Sequence, residues 1–178
     1  MHLKRITDAR HPLYNRALEL YRASFPFHEQ REAASQAAIL SDPAYHFELI
    51  YDGDVFVGLL LYWEAEDFLY IEHFCILPEL RNRQYGRRAL ELLRAQSKTL
   101  LLEIDPPEDG ISLRRRGFYE RCGFLENGFP HVHPPYHRDC EGHRLVVMTC
   151  PERIPPEQYA RFLRFLRERV MAGAFPRE

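Results

Sequence analysis

A chain of 178 residues, 46% hydrophobic and 28% charged, can bury one sizeable core and is too short for two ordinary domains, so a single domain over residues 1–178 is expected. Its formal net charge of −2 excludes a general attraction to nucleic acid or to an anionic membrane surface, and any basic patch must be local. No apolar run is long enough to span a bilayer, the segment Met1-His2-Leu3-Lys4-Arg5-Ile6 lacks the pattern of a signal peptide, and Cys75, Cys122, Cys140 and Cys150 form no CxxC pair. Free thiols and a cytoplasmic setting are the expectation.

In chain order, Leu3 to Thr7 forms a short strand, and Tyr14, Ala17, Leu18, Tyr21 and Phe25 give a helical stripe that ends near Pro26. A second helix is expected from Glu29 to Leu40. Tyr45 to Tyr51 and Val55 to Trp63 form a hairpin around Asp52-Gly53-Asp54, a strong turn signal between strand-like runs. Leu69 to Ile76 is the next strand, rich in aromatic and β-branched residues, and Pro78 helps to end it. A helix follows on Ala89, Leu90, Leu92 and Leu93. Thr99 to Ile104 is a compact apolar strand closed by Asp105-Pro106-Pro107, and Ser112 to Arg121 is a helix stopped at Gly123. Leu145 to Thr149 is a late strand, and one more is expected within the Pro-rich stretch from Leu125 to Asp139. A C-terminal helix over about residues 155–172 carries Tyr159, Phe162, Leu163, Leu166 and Val170 on one side and Arg161, Arg164, Arg167 and Arg169 on the other. Its basic side is expected in solvent and its apolar side on the core or on a second subunit, which leaves monomer and homodimer both open. The order β-α-α-β-β-β-α-β-α-β-β with a C-terminal helix is that of a mixed α/β layer protein, with its core over about residues 3–150.

The segment from Ile76 to Leu90 carries the sharpest chemical signal: an apolar strand runs into a basic turn, with Arg81, Arg83, Arg87 and Arg88, that opens a helix. The first turn of a helix has N–H groups without intrahelical partners and the positive end of the macrodipole. An anion is therefore held there both by backbone and by charge, and a pyrophosphate fits such a cradle.

Two motifs together resemble the GNAT superfamily of acyl-CoA-dependent N-acetyltransferases, over about residues 3–149. The family pattern Arg/Gln-x-x-Gly-x-Gly/Ala, with a Pro three residues before the Arg, falls on Pro78, Arg81, Gln84 and Gly86. Gln84 replaces the first glycine, and a side chain in a left-handed conformation costs roughly 1 kcal/mol. The second motif, Tyr-x-x-x-Gly-Phe, falls on Tyr119, Gly123 and Phe124. Several further segments are similar to a branch of small bacterial GNAT proteins, among them Tyr70-Ile71-Glu72-His73-Phe74 and Pro134-Pro135-Tyr136.

The resemblance implies acetyl transfer from acetyl-CoA to a primary amine, on a small molecule or a peptide, by direct attack in a ternary complex. It implies a cofactor-binding set of Phe74, Cys75 and Ile76 through their backbone, and of Arg81, Asn82, Arg83, Gln84, Tyr85, Gly86 and Arg87 at the phosphates. Tyr119 is then the acid for the departing thiolate. Glu72 is expected as the base, directly or through water, because burial tends to raise a carboxyl pKa; the competing expectation is a salt bridge to an Arg. Strand alternation puts Tyr70 and Glu72 on one face and His73 on the other, with Glu103 as a second base candidate. Phe27, Tyr70 and Tyr136 are expected at the acceptor, Phe25 and His28 near Phe27 and the loop histidines near Tyr136. Arg114, Arg115 and Arg116 are left as a solvated face. The spacing of His131, His133, His137, Cys140 and His143 matches no known metal pattern, so no metal is expected. Two rivals remain: a non-catalytic acyl-CoA-binding module, and a GNAT-fold protein with a metal-binding His/Cys loop.

Overall fold

The structure, a computed structural model, describes residues 1–175. Its elements are β1 (His2–Ile6), α1 (Tyr14–Ser24), a 3-10 turn (Phe27–Glu29), α2 (Ala33–Ile39), β2 (Tyr45–Asp52), β3 (Val55–Glu64), β4 (Phe68–Ile76), a second 3-10 turn (Pro78–Leu80) and α3 (Tyr85–Arg94). There follow β5 (Thr99–Ile104), α4 (Gly110–Arg121), β6 (Leu125–Glu126), β7 (Val132–His133), β8 (His143–Arg144), β9 (Val146–Cys150), α5 (Pro156–Phe165) and a π-helical turn (Leu166–Val170). A seven-stranded sheet runs in the order β1-β2-β3-β4-β5-β9-β6, and β7 pairs with β8 as a separate ribbon. The mixed α/β class is as expected. No helix among the described residues is long and apolar enough to cross a membrane.

Strand periodicity divides the core into two layers. Leu59, Leu61, Trp63, Phe68 and Tyr70 face α1 and α5, meeting Tyr14, Ala17, Tyr21, Phe162 and Leu166. Leu60, Tyr62, Leu69, Ile71 and Leu102 face α3 and α4, meeting Ala89, Leu90, Leu93 and Tyr119. Alternation breaks once in β4: Tyr62 pairs with Ile71 but Leu61 pairs with His73, so Glu72 is an extra residue. A bulge of this kind turns two successive side chains to the same side. His73 therefore shares the α1 face with Glu72 rather than pointing away from it: Glu72 meets Arg31 and Trp63, while His73 packs on Tyr21 and Phe25.

The helix expected from Glu29 to Leu40 is broken. Gln30 and Glu32 are extended, and the Arg31 backbone N–H donates to the Tyr21 hydroxyl at 2.9 Å. The chain leaves helical geometry there and turns Arg31 inward. The strand expected between residues 125 and 139 is present as the two short pieces β6 and β7. The helix at α4 starts earlier than Ser112 because Asp109 caps it, its carboxylate accepting from the N–H groups of Ile111 and Ser112 while Ser112 Oγ accepts from the Asp109 N–H.

β4 and β5 run parallel and pair only from Phe68 with Thr99 to Ile71 with Leu102. Beyond that point β4 stays with β3 as far as Ile76, and β5 stays with β9 as far as Ile104. Each strand follows its other neighbour, and a wedge opens between them.

Close approach at Gly58 holds one side of this wedge. A Cβ there would stand 2.2 Å from the Cys75 carbonyl oxygen and 3.0 Å from Ile76 Cα. Backbone cannot rotate away as a side chain can, so Gly58→Ala should lower unfolding stability by about 1–3 kcal/mol in urea titration, whereas Gly128→Ala, with nothing within 4 Å, should change it little.

Candidate functional site

At the lip of the wedge the chain passes from β4 through the Pro78–Leu80 turn into α3. Asn82 and Gln84 both adopt left-handed backbone, each with φ of 63°. Gln84 is the N-cap and its side chain caps nothing. The first helical bond is from the Arg88 N–H to the Gln84 carbonyl at 3.1 Å, so the N–H groups of the preceding residues Tyr85, Gly86 and Arg87 stand free of the helix ladder for an anion. Gly86 is not left-handed; an added Cβ would come 3.0 Å from Phe118 Cζ, so this glycine lets α3 lie against α4. Of the nearby cations, Arg88 is turned away into a two-pronged pair with Asp52 at 2.8 and 3.0 Å. Arg87 pairs with Glu91 on the surface at 3.0 Å.

The wedge is a cleft of about 1340 Å³. Of the expected residues, Tyr70, Glu72, Phe74, Cys75, Ile76, Arg81, Asn82, Gln84, Tyr85, Gly86, Arg87, Tyr119 and Tyr136 line it. Arg83 and Phe27 do not. Phe27 is 70% exposed and stacks on His137 with centroids 4.0 Å apart, beside a separate recess. The wall expected of it is formed by Phe25, His28 and Glu29.

The cleft floor is a buried polar network. Glu72 accepts from Arg31 Nη2 at 2.7 Å, Trp63 Nε1 at 2.9 Å and the Tyr136 hydroxyl at 2.8 Å. Burial is the largest single influence and would raise its pKa, but Arg31, His73 and the Trp63 N–H together outweigh it and hold the carboxyl at about 2. This reverses the expected upward shift: the salt bridge prevails, and Glu72 is an ionised, weakly basic anchor. Arg31 also donates to the Val170 carbonyl at 2.9 Å. Glu103 accepts from the Tyr70 hydroxyl and contacts His131 Nε2; burial pushes its carboxyl up, yet His133 and His131 hold it below the usual value. His131 Nδ1 lies 2.9 Å from the Tyr159 hydroxyl.

His133 Nδ1 lies 2.6 Å from the Pro134 carbonyl, an acceptor only, so Nδ1 carries a proton. Nε2 is 3.3 Å from the Tyr136 oxygen. His73 donates through Nε2 to the Glu29 carbonyl at 2.8 Å, and burial lowers its pKa. On the opposite wall, burial raises Tyr119 to about 12. Its hydroxyl has no hydrogen-bond partner among the described residues and stays protonated at neutral pH.

Arg31 and Trp63 are central here and were absent from the sequence-derived site, while His131 and His133 entered it only as loop histidines near Tyr136. A carboxylate inside an apolar strand signalled that some cation must be buried with it. Nothing in Glu29-Gln30-Arg31-Glu32 marked Arg31 as that cation.

A parallel pair that splays over an uncapped, basic helix start is an architecture for holding an extended ligand with a phosphate end. The model of the "Acetyltransferase (GNAT) family" matches residues 11–124, and the chain belongs to that family of acetyltransferases. Among solved structures, a GNAT-family protein from Bacteroides thetaiotaomicron is similar at 29% identity, covering 96% of this chain and 98% of its own, with a TM-score of 0.88. An aminoglycoside 6′-N-acetyltransferase complexed with coenzyme A shares the fold at 17% identity, covering 87% and 99%, with a TM-score of 0.60. So does the ribosomal-protein alanine N-acetyltransferase from Escherichia coli, at 18% identity, 88% and 96% coverage and a TM-score of 0.56. No curated protein matches the chain.

Two outcomes test this geometry. Gln84→Gly should relieve left-handed strain and hold or raise unfolding stability by up to about 1 kcal/mol, while Gln84→Val should cost about 1–2 kcal/mol. Because the Glu72 carboxyl falls from 4.5 to about 2 on folding, its contribution is complete above the unfolded value and is lost as pH falls from 4.5 toward 2. Urea midpoints should decline through that window, and Glu72→Gln should flatten the decline while costing about 3–5 kcal/mol at neutral pH through the stranded Arg31 charge.

Proposed function

We propose that the chain moves an acetyl group from acetyl-CoA to a primary amine, of a small molecule or a peptide, by direct attack with both substrates bound. The observation that carries this reading is the parting of β4 from β5 after Ile71 and Leu102, directly above the free N–H groups of α3. The pyrophosphate fits the turn from Arg81 to Arg87, with Asn82, Arg83, Gln84, Tyr85 and Gly86 around it. Backbone groups of Phe74, Cys75 and Ile76 face a wedge that β5 leaves unpaired, and they suit the pantetheine arm and the thioester oxygen, a polarising role that can supply roughly 3 kcal/mol. Acetyl-CoA supplies the thioester; the side chains supply proton control. A cytoplasmic setting belongs to this reading, supported by four free cysteines.

Tyr119 is the acid. Its phenol is protonated and without a competing partner among the described residues, so it can donate to the departing thiolate. The acceptor comes from the side of Tyr70, Tyr136 and His133. Glu72, bound by three donors, fixes the Tyr136 hydroxyl; with its carboxyl at about 2 it is a poor acceptor of an ammonium proton. We assign that proton, directly or through water, to the lone pair on His133 Nε2, with Glu103 4.0 Å away to stabilise the imidazolium formed.

Thiol release from acetyl-CoA across a panel of amines and peptides, beside calorimetric CoA binding, tests the reading. Tyr119→Phe should lower turnover by about 10²-fold with CoA affinity unchanged, and His133→Gln should lower it by a similar factor. Unchanged turnover in Tyr119→Phe would take that residue out of its role, and CoA binding with no turnover on any amine would favour a non-catalytic binding module.

A further inference from the structure

The mouth of the cleft carries a side-chain cluster that acetyl transfer does not use. His28 and Glu29 stand on the 3-10 turn after α1, and His143 opens β8 on the facing wall. One donor atom from each lies within 4.8 Å of the other two. His28 Nε2 is 3.7 Å from the Glu29 carboxylate, and the His28 and His143 rings meet with centroids 5.4 Å apart. Two bonds of about 2.0–2.1 Å meeting at the tetrahedral angle place donor atoms roughly 3.3 Å apart, so donor atoms already within 4.8 Å of one another need approach by at most about 1.5 Å to meet an ion.

A second observation concerns orientation. Asp105 Oδ1 lies 3.3 Å from His143 Nε2, and Arg115 Nη1 holds the other Asp105 oxygen at 2.6 Å. A carboxylate on one ring nitrogen is the arrangement that fixes a ligating histidine and leaves the other nitrogen with its lone pair. Glu29 is held in turn, since His73 Nε2 donates to its backbone carbonyl at 2.8 Å. The cluster thus consists of two imidazoles and a carboxylate, with a supporting carboxylate behind one imidazole and the fourth direction open.

The geometry points to a Zn²⁺ site formed by His28, Glu29 and His143, oriented by Asp105, that clamps the two walls of the cleft mouth and leaves one coordination position for water or for a donor atom of the acceptor. It differs from a metal site within the loop from His131 to His143. His131 and His133 are committed to Glu103 and to the Pro134 carbonyl, and His137 stacks on Phe27. Only His143 of that loop takes part, joined by residues from the other end of the sequence.

The test uses the untagged full chain, stripped with chelator and titrated with Zn²⁺ against a chromophoric competitor, with Co²⁺ absorption as a report of geometry. One equivalent of Zn²⁺ per chain, a raised thermal midpoint and the intense visible bands of tetrahedral Co²⁺ are expected. His28→Ala and His143→Ala should each weaken binding by more than about tenfold, and Asp105→Asn by about tenfold, while His137→Ala, with circular dichroism confirming the fold of every variant, should bind as wild type. No stoichiometric uptake, or uptake equal in wild type, His28→Ala and His143→Ala, would overturn the site. Neither readout depends on acetyl transfer.

Discussion

The ion pair between Arg31 and Glu72 is the constraint around which the cleft is organised. Both side chains are almost wholly buried, at 0% and 1% exposure, and a buried pair is costly unless further hydrogen bonds satisfy most of its remaining atoms; Arg31 Nε is left without a partner among the described residues. Trp63 and Tyr136 complete the carboxylate, and the Val170 carbonyl takes a guanidinium proton. Each partner belongs to a different part of the fold. The bulge at Glu72 delivers the carboxylate, the broken helix before α2 delivers the arginine, and the segment after β7 delivers the tyrosine.

Satisfying this pair shapes the chemistry above it. With Glu72 held as an anion at about 2, it is a poor proton acceptor, which is why the proposed reaction gives that task to the imidazole beyond Tyr136. The two sides of the cleft are therefore electrically unlike: one has a neutral phenol with arginines of α3 and α4 around it, and the other has carboxylates alternating with imidazoles and a buried arginine. An acid and a base with separated tasks need this contrast.

What the sequence made legible follows from range. The strands around Asp52-Gly53-Asp54, the helix behind Gly86 and the Tyr119 to Phe124 motif depend on neighbours a few residues away, and alternation or spacing records such dependence. The bulge at Glu72 left no mark, because one extra residue in a strand is seen only in the pairing partner, and His73 was consequently placed on the wrong face. Arg31 was misjudged for the same reason: the stretch from Glu29 suggested a continuous helix, whereas the Arg31 segment leaves helical geometry and reaches a distant carboxylate. His133 was visible only as one histidine among several. Its tautomer depends on a carbonyl that composition cannot show.

The link from Arg31 to Val170 joins the π-helical turn near the chain's end to the cleft floor, and Ser35 Oγ donates to the Gly173 carbonyl beside it at 2.5 Å. Undocking that turn would strip a partner from the buried guanidinium, which would loosen its hold on Glu72 and thus on Tyr136. The C-terminal turn, α2 and the segment carrying Tyr136 should then open together, with amide exchange in the three segments sharing an opening free energy although they lie far apart in sequence.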